Sequence, residues 1–214
     1  MALETEACAA WMTDSTGMQV RRAWGIIGMA IEVEKTSLEG VLVIHSDLFR
    51  DNRGFFCELY SQRAFREVGL DAVFVQDNLS ESVRGVLRGM HFQVLPEGMG
   101  KLVRCLRGEV FDVAVDLRRG SPTYGRWAGR ELSEANGCAL WIPVGFAHGF
   151  LSLSDRALVH YKCTNFYAPH AERTLSYRCP KVGIVWPEPP AVVSPKDAAA
   201  PGLDACDHNF TYPI

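Results

Sequence analysis

The chain has 214 residues, of which 48% are hydrophobic and 22% charged, and its formal net charge is −3 at pH 7. This length and composition suit one domain with a substantial core, and single all-β domains of this size are common. A slightly acidic balance without a clustered basic field argues against nucleic-acid binding, so an anionic ligand would depend on local arginine and lysine side chains.

The ends of the chain suggest a division into three parts. Residues 1–28 do not read as a signal peptide, because Glu4 and Glu6 come early and no adequate apolar stretch follows. We interpret residues 1–28 as a poorly ordered extension or the result of a misplaced start codon. Residues 29–205 then form one domain, and residues 206–214 form a loosely held tail. No run of about 18 apolar residues occurs, so no membrane span is predicted.

The seven cysteines are dispersed through apolar, strand-like segments, and no two of them form a C-x-x-C pair. That spacing is typical of neither a zinc site nor the disulfide framework of a small secreted domain. We therefore expect buried thiols in a reducing compartment, which predicts a cytoplasmic protein. The cysteines are Cys8, Cys57, Cys105, Cys138, Cys163, Cys179 and Cys206.

Short β-type runs separated by turn residues recur from residue 39 onward. The clearest is Glu109–Leu117, where larger apolar residues alternate with a second set that includes Asp112 and Asp116. A period of two indicates a strand. The predicted strands are Gly40–His45, Gly54–Tyr60, Val73–Asn78, Gly85–Phe92, Lys101–Arg107, Glu109–Leu117, Trp127–Leu132, Ala139–Ile142, Gly149–Leu153 and Leu158–Phe166.

Two short helices are predicted among these strands. The first covers Gln62–Val68, with Ser61 as its cap and Gly69 at its end. The second covers Pro195–Ala200 and follows Ser194. Many short strands with very little helix predict an all-β sandwich or barrel.

The segment Gly85–Gln93, followed by Lys101–Arg104, concentrates polar groups among glycine and strand-forming residues. It contains Arg88, His91 and Lys101 within a short interval. Histidine has an ordinary pKa of about 6.5 and can exchange protons near neutrality. The grouping indicates a site for an anionic ligand, although a structural histidine is an equally good reading of these residues alone.

A second dense segment, Trp141–Phe150, has the pattern P-x-G-x-x-H through Pro143, Gly145 and His148. This pattern resembles the second signature of the cupin double-stranded β-helix, a jelly roll. Metal-binding cupins combine that histidine with an H-x-H motif, but here the corresponding residues are His91–Gln93, with glutamine in the second place. A metal site needs three or more well-placed ligands, so we predict none.

The ordered set of motifs between about Leu38 and Leu203 resembles the nucleotide-sugar epimerases, and in particular the dTDP-4-dehydrorhamnose 3,5-epimerase family. That resemblance implies a cupin-type jelly roll, a dTDP-sugar substrate, no cofactor, and a homodimer whose partner strand completes the site. The motifs are Asp51–Phe56, Phe74–Asn78, Gly85–Gln93, Lys101–Arg104, Gly108–Asp116, Gly120–Gly125, Ile142–Phe150, Tyr161–Lys162 and Ser194–Asp197.

The family's reaction inverts carbons next to a ketone, and this chemistry requires a base, an oxyanion stabiliser and an acid on the opposite face. The resemblance implies that His91 is the base, Asp197 orients it, Lys101 stabilises the enolate and Tyr161 is the acid. From the residues alone, a core histidine, a helix-start aspartate, an edge-strand lysine and a packing tyrosine are the alternatives.

The resemblance also implies a set of substrate-binding residues. Arginine suits the diphosphate because its planar fork forms paired, charge-assisted hydrogen bonds. Two of the residues, Arg53 and Glu58, would come from a neighbouring subunit, and Asp112 and His148 would line the cavity with the proton-transfer residues. The full implied set is Arg53, Glu58, Gln76, Asn78, Arg88, Asp112, His148, Tyr167 and Glu172.

The strand that carries Arg88 and His91 presents a geometric difficulty. In a regular strand these two side chains point to opposite faces of the sheet. A bulge at Gly89 would bring both side chains into one cavity. Without such an irregularity, only one of the two can line the site.

The chain departs from the family pattern at Tyr177, where the family usually has tryptophan, and in Pro96–Gly100, which lacks a common glutamine. These departures bear on substrate detail more than on reaction class. Alternative functions are a C3-only epimerase, a ketoisomerase of a similar sugar nucleotide, or a non-catalytic sugar-binding cupin. The presence of both His91 and Tyr161 favours epimerisation.

Overall fold

The computed structural model describes residues 10–24 and 30–213, and strands dominate this part of the chain. The strands before the first helix are β1 (Met12–Thr13), β2 (Gln19–Trp24), β3 (Ala30–Lys35), β4 (Leu42–Ser46), β5 (Phe49–Asp51) and β6 (Gly54–Phe56). Those after it are β7 (Gln76–Val83), β8 (Val86–Gln93), β9 (Lys101–Arg107), β10 (Glu109–Asp116), β11 (Trp127–Ser133), β12 (Cys138–Ile142), β13 (Phe146–Ser152), β14 (Arg156–Cys163), β15 (Glu172–Thr174) and β16 (Val192–Val193). The helices are α1 (Gln62–Glu67), α2 (Pro195–Ala198) and a 3₁₀ turn at Leu203–Ala205.

The strands form two large sheets and one small hairpin. The first sheet has eight strands in the order β1-β2-β3-β4-β12-β9-β14-β7. The second has six, with the order β11-β10-β13-β8-β15 and β16 added beside β8. Strands β5 and β6 pair only with each other within the described residues. None of the helices among these residues is long and apolar enough to span a membrane.

Apolar side chains of the two sheets meet in a common core, which explains why both sheets are needed for burial. Val103 and Leu140 of the first sheet pack in one cluster with Val110, Ala114 and Phe150 of the second. Two facing sheets with this strand order form a jelly roll, so the predicted fold class is confirmed.

Two further apolar clusters cover the outer faces of the sheets. Phe65 of helix α1 and Val68, directly after the helix, pack against the outer face of the first sheet. The carboxyl-terminal segments, including Leu175 and Phe210, cover the outer face of the second sheet. As a result, β10 is buried on both faces, although larger apolar residues alternate along its sequence with a set that includes Asp112 and Asp116.

The ends of the chain differ from the sequence-based expectation. Residues 12–24 were assigned to a poorly ordered extension, but they form β1 and β2, which lengthen the first sheet beyond β3 because Val20 is buried there. The region 206–214 was expected to be loose, but Cys206, His208 and Phe210 are buried. Residues 1–9, 25–29 and 214 lie outside the described residues.

The predicted strand boundaries shift by a few residues at several places. The expected strand Val73–Asn78 runs as Gln76–Val83, and Gly149–Leu153 begins earlier, at Phe146. Helix α1 ends at Glu67, and Ser61 lies at its start without a side-chain capping bond.

Candidate active site

Two adjoining cavities open between the sheets where β7, β8, β9 and β14 approach one another. The first, termed the main cavity, has a volume of about 480 Å³. The second cavity has about 230 Å³ and shares His91, Lys101 and Tyr161 with the main cavity. The main cavity is lined by Ser80, Val86, Leu87, Arg88, His91, Lys101, His148, Phe150, Tyr161, Val192, Val193, Ser194, Lys196 and Asp197. The second is lined by Gln76, Asn78, His91, Phe92, Gln93, Met99, Lys101, Tyr161, Tyr167 and Glu172.

His91 and Asp197 form a hydrogen-bonded pair at the wall of the main cavity. His91 Nε2 lies 2.7 Å from Asp197 Oδ1, and the backbone N–H of Gly89 donates to Asp197 Oδ2 at 3.3 Å. Burial opposes ionisation of Asp197, but its contacts with His91 keep the pKa of the carboxyl below its ordinary value. An ionised carboxylate accepts only, so Nε2 carries the proton and Nδ1 is the nitrogen that can take one up.

A short helix places Asp197 beside the strand that carries His91. Ser194 is the N-cap of α2, and its hydroxyl accepts a hydrogen bond from the backbone N–H of Asp197 at 3.1 Å. Strand β16 immediately precedes this helix and pairs with β8. Pairing of β16 therefore fixes the position of the helix, and the helix brings the carboxylate of Asp197 to the imidazole.

Strand β8 contains the irregularity expected at Gly89. His148 pairs with His91 but Phe150 pairs with Arg88, so β8 has one more residue than β13 across this interval. Gly89 has φ +144°, and a Cβ at this position would lie 2.5 Å from Gly149 Cα. The bulge turns Arg88 and His91 toward the same cavity, and only glycine fits this backbone.

Lys101 projects from β9 on the first sheet into the space between the two cavities. Its Nζ donates a long hydrogen bond of 3.5 Å to the backbone carbonyl of His91. Burial lowers the pKa of the Lys101 ammonium, while Cys163, Asp112 and Glu172 oppose that shift. A desolvated cation gains most when a negative charge forms beside it.

Tyr161 faces His91 from the opposite sheet. It lies on β14 between Val103 of β9 and Asn78 of β7. Burial raises the pKa of the Tyr161 phenol, with the neighbouring Arg88 acting in the other direction. The tyrosine therefore keeps its proton at neutral pH and can donate it to a group held between the sheets.

Asp112 does not line either cavity, which corrects the expected role of this residue. It is completely buried on β10, and both of its carboxylate oxygens lie within 3.1 Å of His148 Nε2. His148 lies between Asp112 and the main cavity, because its strand β13 lies between β10 and β8 in the second sheet. Burial lowers the pKa of His148, and Asp112 opposes that shift.

The second cavity contains four of the implied substrate-binding residues. Gln76 and Asn78 lie on β7, and Gln76 Oε1 accepts from the backbone N–H of Tyr167 at 3.0 Å. The Tyr167 hydroxyl donates to Glu172 Oε2 at 3.0 Å. Burial opposes ionisation of Glu172, but Lys196 and Tyr167 keep its pKa below the ordinary value.

Arg53 and Glu58 are not among the residues that line these two cavities. Arg53 lies on the turn of the β5–β6 hairpin, where its side chain is 85% exposed and pairs with Asp51. Glu58 follows the hairpin, and its Oε1 is buried without a hydrogen-bond partner among the described residues. Among the implied substrate-binding residues, Arg53 and Glu58, which were expected to act in a neighbouring subunit, are thus absent from the lining of both cavities, as is Asp112.

The family profile of dTDP-4-dehydrorhamnose 3,5-epimerase matches residues 35–205. The chain belongs to this family. A curated epimerase of that name from Methanothermobacter thermautotrophicus is 53% identical over 153 residues, which cover 72% of this chain and 82% of the relative.

Solved structures agree with this membership. The crystal structure of dTDP-6-deoxy-D-glucose-3,5-epimerase from Legionella pneumophila, in complex with dTDP-4-keto-L-rhamnose, has a TM-score of 0.80 and 46% identity. The superposition covers 83% of this chain and 95% of the Legionella pneumophila chain. Among curated proteins, a dTDP-4-dehydrorhamnose 3-epimerase from Streptomyces niveus is 42% identical in sequence over 164 residues, covering 76% of this chain and 79% of the relative. The family resemblance of the epimerase motifs is therefore confirmed.

The structure of this family member explains the glutamine in the cupin metal motif. Gln93 Nε2 donates to the backbone carbonyls of Glu97 and Phe166, at 2.7 and 3.1 Å. Its Oε1 accepts from the backbone N–H of Ala168 at 2.8 Å. The Gln93 amide therefore holds two loops beside the second cavity, and both its Nε2 and its Oε1 are engaged in hydrogen bonds with the backbone.

Two residues of the main cavity were missed by the sequence analysis. Lys196 pairs with Glu172 at 2.5 Å, and Ser80 has a buried hydroxyl with no hydrogen-bond partner among the described residues. Lys196 directly precedes Asp197 in a recognised motif, so its position was a usable signal. Ser80 follows Asn78 at the two-residue spacing of one strand face, which would also have pointed inward.

Proposed function

We propose that this chain is a cofactor-independent 3,5-epimerase that converts dTDP-4-dehydro-6-deoxy-D-glucose to dTDP-4-dehydro-L-rhamnose. The observation that carries this proposal is the placement of His91 and Tyr161 on facing sheets, with Lys101 beside both. A sugar ring held between the sheets meets a base on one face and an acid on the other. Membership of the epimerase family supports the same reaction.

The proton transfers follow from this geometry. His91 removes the proton from a carbon next to the C4 ketone, and the electrons of the broken C–H bond form the enolate. Asp197 stabilises the resulting imidazolium, and Lys101 stabilises the enolate oxygen. Tyr161 then donates its proton to the same carbon from the opposite face, so that a new C–H bond forms with inverted configuration. Release of the proton from His91 and reprotonation of Tyr161 return the enzyme to its starting state.

The same groups can act at both carbons, because C3 and C5 are each adjacent to the C4 ketone. A C3-only epimerase is the alternative to be tested, since the relative from Streptomyces niveus carries the name of a 3-epimerase.

We propose that Arg88 and Lys196 contact the diphosphate, and that Gln76, Asn78 and Tyr167 hold the nucleoside beside the second cavity.

Incubation with dTDP-4-keto-6-deoxyglucose in deuterated water, followed by NMR, tests the proposed reaction. We expect deuterium at both C3 and C5 and a product inverted at both carbons. Exchange at C3 alone would replace the proposal by the C3-only reaction. A complete lack of exchange would indicate a non-catalytic sugar-binding protein.

We further propose a homodimer in which the β5–β6 hairpin of one subunit completes the site of the other. Phe55 and Phe56 on this hairpin are 57% and 59% exposed, and Arg53 lies at its tip. Exposed aromatic rings beside an arginine are typical of a surface that is buried on association. Sedimentation should show a dimer, and a monomer with full activity would refute this arrangement.

We propose a cytoplasmic location for the protein. The six cysteines within the described residues are all free thiols, and five of them are buried. Such thiols are stable in a reducing compartment. Fractionation of the source cells with an antibody to the protein would test this, and recovery outside the cytoplasm would refute it.

A further inference from the structure

Residues 206–212, termed the carboxyl-terminal strap, pack on the outer face of the second sheet. They follow the part of the chain that the family profile matches, which ends at residue 205. Cys206, His208 and Phe210 are buried, and the Phe210 ring lies 5.8 Å from the ring of Phe92, measured between centroids. Burial of every second residue indicates an extended segment with one face on the sheet. The strap is therefore docked along its length.

The residues between the buried ones make side-chain hydrogen bonds to two other segments. Asn209 Oδ1 accepts from the backbone N–H of Leu95 at 2.9 Å, and Asn209 Nδ2 donates to the backbone carbonyl of Leu95 at 3.0 Å. One side chain thus pairs both backbone groups of Leu95, as a neighbouring strand would. Asp207 Oδ2 accepts from Arg173 Nε on β15 at 2.8 Å.

The loop that contains Leu95 forms part of the wall of the second cavity. This loop, residues 94–100, joins β8 to β9, and its Met99 lines the cavity. Gln93, which also lines the cavity, donates from Nε2 to the Glu97 carbonyl at 2.7 Å. The loop is therefore held by Gln93 on the cavity side and by Asn209 on the exposed side.

The segment bonded to Asp207 belongs to the same cavity. Arg173 follows Glu172, which lines the second cavity, and Glu172 is the register partner of Gln93 on β8. The strap thus connects two segments that meet at one end of this cavity. By contrast, His91, Lys101 and Tyr161 lie on β8, β9 and β14, where the pairing of the strands holds them.

We propose that Asn209 is a positioning residue for substrate binding, which holds the loop 94–100 in the shape that receives the nucleoside. This inference rests on the proposed function, which places the nucleoside beside the second cavity. The affinity of a ligand falls in proportion to the fraction of molecules whose site has the competent shape. Because the proton-transfer residues lie on paired strands, the strap acts on substrate affinity and not on the chemical step.

Replacement of Asn209 by alanine removes both bonds to Leu95. The dissociation constant for dTDP should rise about two- to tenfold, the range that an ordinary hydrogen bond supplies. The KM for the dTDP-sugar should rise by the same factor, while kcat stays within about twofold of wild type. Asn209→Gln keeps an amide at this exposed position and should restore most of the affinity.

Titration calorimetry with dTDP measures the affinity, and NMR of epimerisation gives KM and kcat. Hydrogen exchange followed by mass spectrometry should show lost protection in the loop 94–100 of Asn209→Ala. Asp14→Ala is the matched control, because Asp14 accepts from the backbone N–H groups of Thr16 and Met18 at 2.8 and 2.9 Å in a turn of the first sheet. The control should leave the dissociation constant for dTDP unchanged.

The outcomes separate this inference from the proposed reaction. Wild-type protein that neither binds dTDP nor exchanges deuterium defeats the epimerase proposal itself. With active wild-type protein, an Asn209→Ala variant that binds dTDP as tightly as wild type overturns the positioning role alone. A fall in kcat as large as the rise in KM also overturns it, because the disturbance then reaches the proton-transfer residues. If the alanine variant does not fold, Asn209→Leu keeps the volume without the two bonds, and the same readouts decide.

Discussion

Replacement of Asp197 by asparagine should impair catalysis while preserving the shape of the site. Asp197 uses one oxygen to accept from His91 Nε2 at 2.7 Å and the other to accept from the Gly89 N–H at 3.3 Å. Asparagine has only one oxygen, so its NH₂ group must face one of these two donors. If the NH₂ faces His91, the proton moves to Nδ1 and the base is blocked. If it faces Gly89, two donors oppose each other.

The expected loss follows from the contact that is removed. A hydrogen bond to a charged group contributes about 1.5–3 kcal/mol, and each 1.36 kcal/mol changes the rate tenfold. Asp197→Asn should therefore lower kcat about 10- to 150-fold. Deuterium exchange at C3 and C5 should fall together with inversion, because both require proton removal by His91.

The same variant should change the pH dependence of stability. The pKa of Asp197 in the folded protein lies below its unfolded value, because the contacts with His91 outweigh burial. Its contribution to the free energy of unfolding is therefore present above the unfolded pKa of about 3.9 and is lost as the pH falls through the lower folded pKa. The stability difference between wild type and Asp197→Asn should be largest near neutral pH and should shrink in acid.

The assay is NMR of epimerisation in deuterated water, combined with urea unfolding at neutral and acidic pH. Asp204→Asn is the control, because Asp204 is an exposed carboxylate that pairs with Lys181 away from the cavities. It should leave kcat unchanged. If Asp197→Asn keeps kcat within about threefold of wild type, the reasoning about the dyad is wrong, because that is less than one charge-assisted bond supplies.

Three further predictions concern the proton-transfer groups and metal. His91→Ala should lower inversion and deuterium exchange by at least about 10²-fold, the usual contribution of a general base; near-normal NMR turnover would contradict it. Tyr161→Phe should reduce inversion more than exchange, because His91 can still return a proton to the face it left; equal losses would refute the tyrosine's role. EDTA should leave the rate unchanged, and loss of activity restored by one divalent ion would overturn this expectation.

The fold and the centre of the site could be predicted because their signals are local. Alternation in Glu109–Leu117 and the Pro143–His148 motif mark strands and a tight turn, and both are present. Gly89 was identifiable as the one residue between Arg88 and His91 that could host a bulge. Whether Arg88 and His91 would line one cavity or point to opposite faces nevertheless depended on the register of β8 with β13. The sequence of a single strand does not encode that register.

The remaining features depend on long-range packing. Asp112 was expected at the cavity wall, but β13 lies between β10 and β8 in the sheet and places His148 in front of Asp112. Residues 12–24 show little apolar alternation, with Arg21 and Arg22 in the middle of β2, so their pairing with β3 was missed. Such pairings form because the edge strand of a sheet has free backbone groups to pair with. The sequence of the added strand alone therefore predicts the pairing poorly.

The two added strands offer a practical point of attachment. Strands β1 and β7 lie at opposite edges of the eight-stranded sheet, separated by seven spacings of about 4.8 Å, or roughly 34 Å along the sheet. The turn that joins β1 to β2 is closed by Asp14, which accepts from the N–H groups of Thr16 and Met18, and Gly17 within it is exposed. A fluorophore or immobilisation tag inserted at this turn would leave the entrance to both cavities clear for single-molecule or biosensor work.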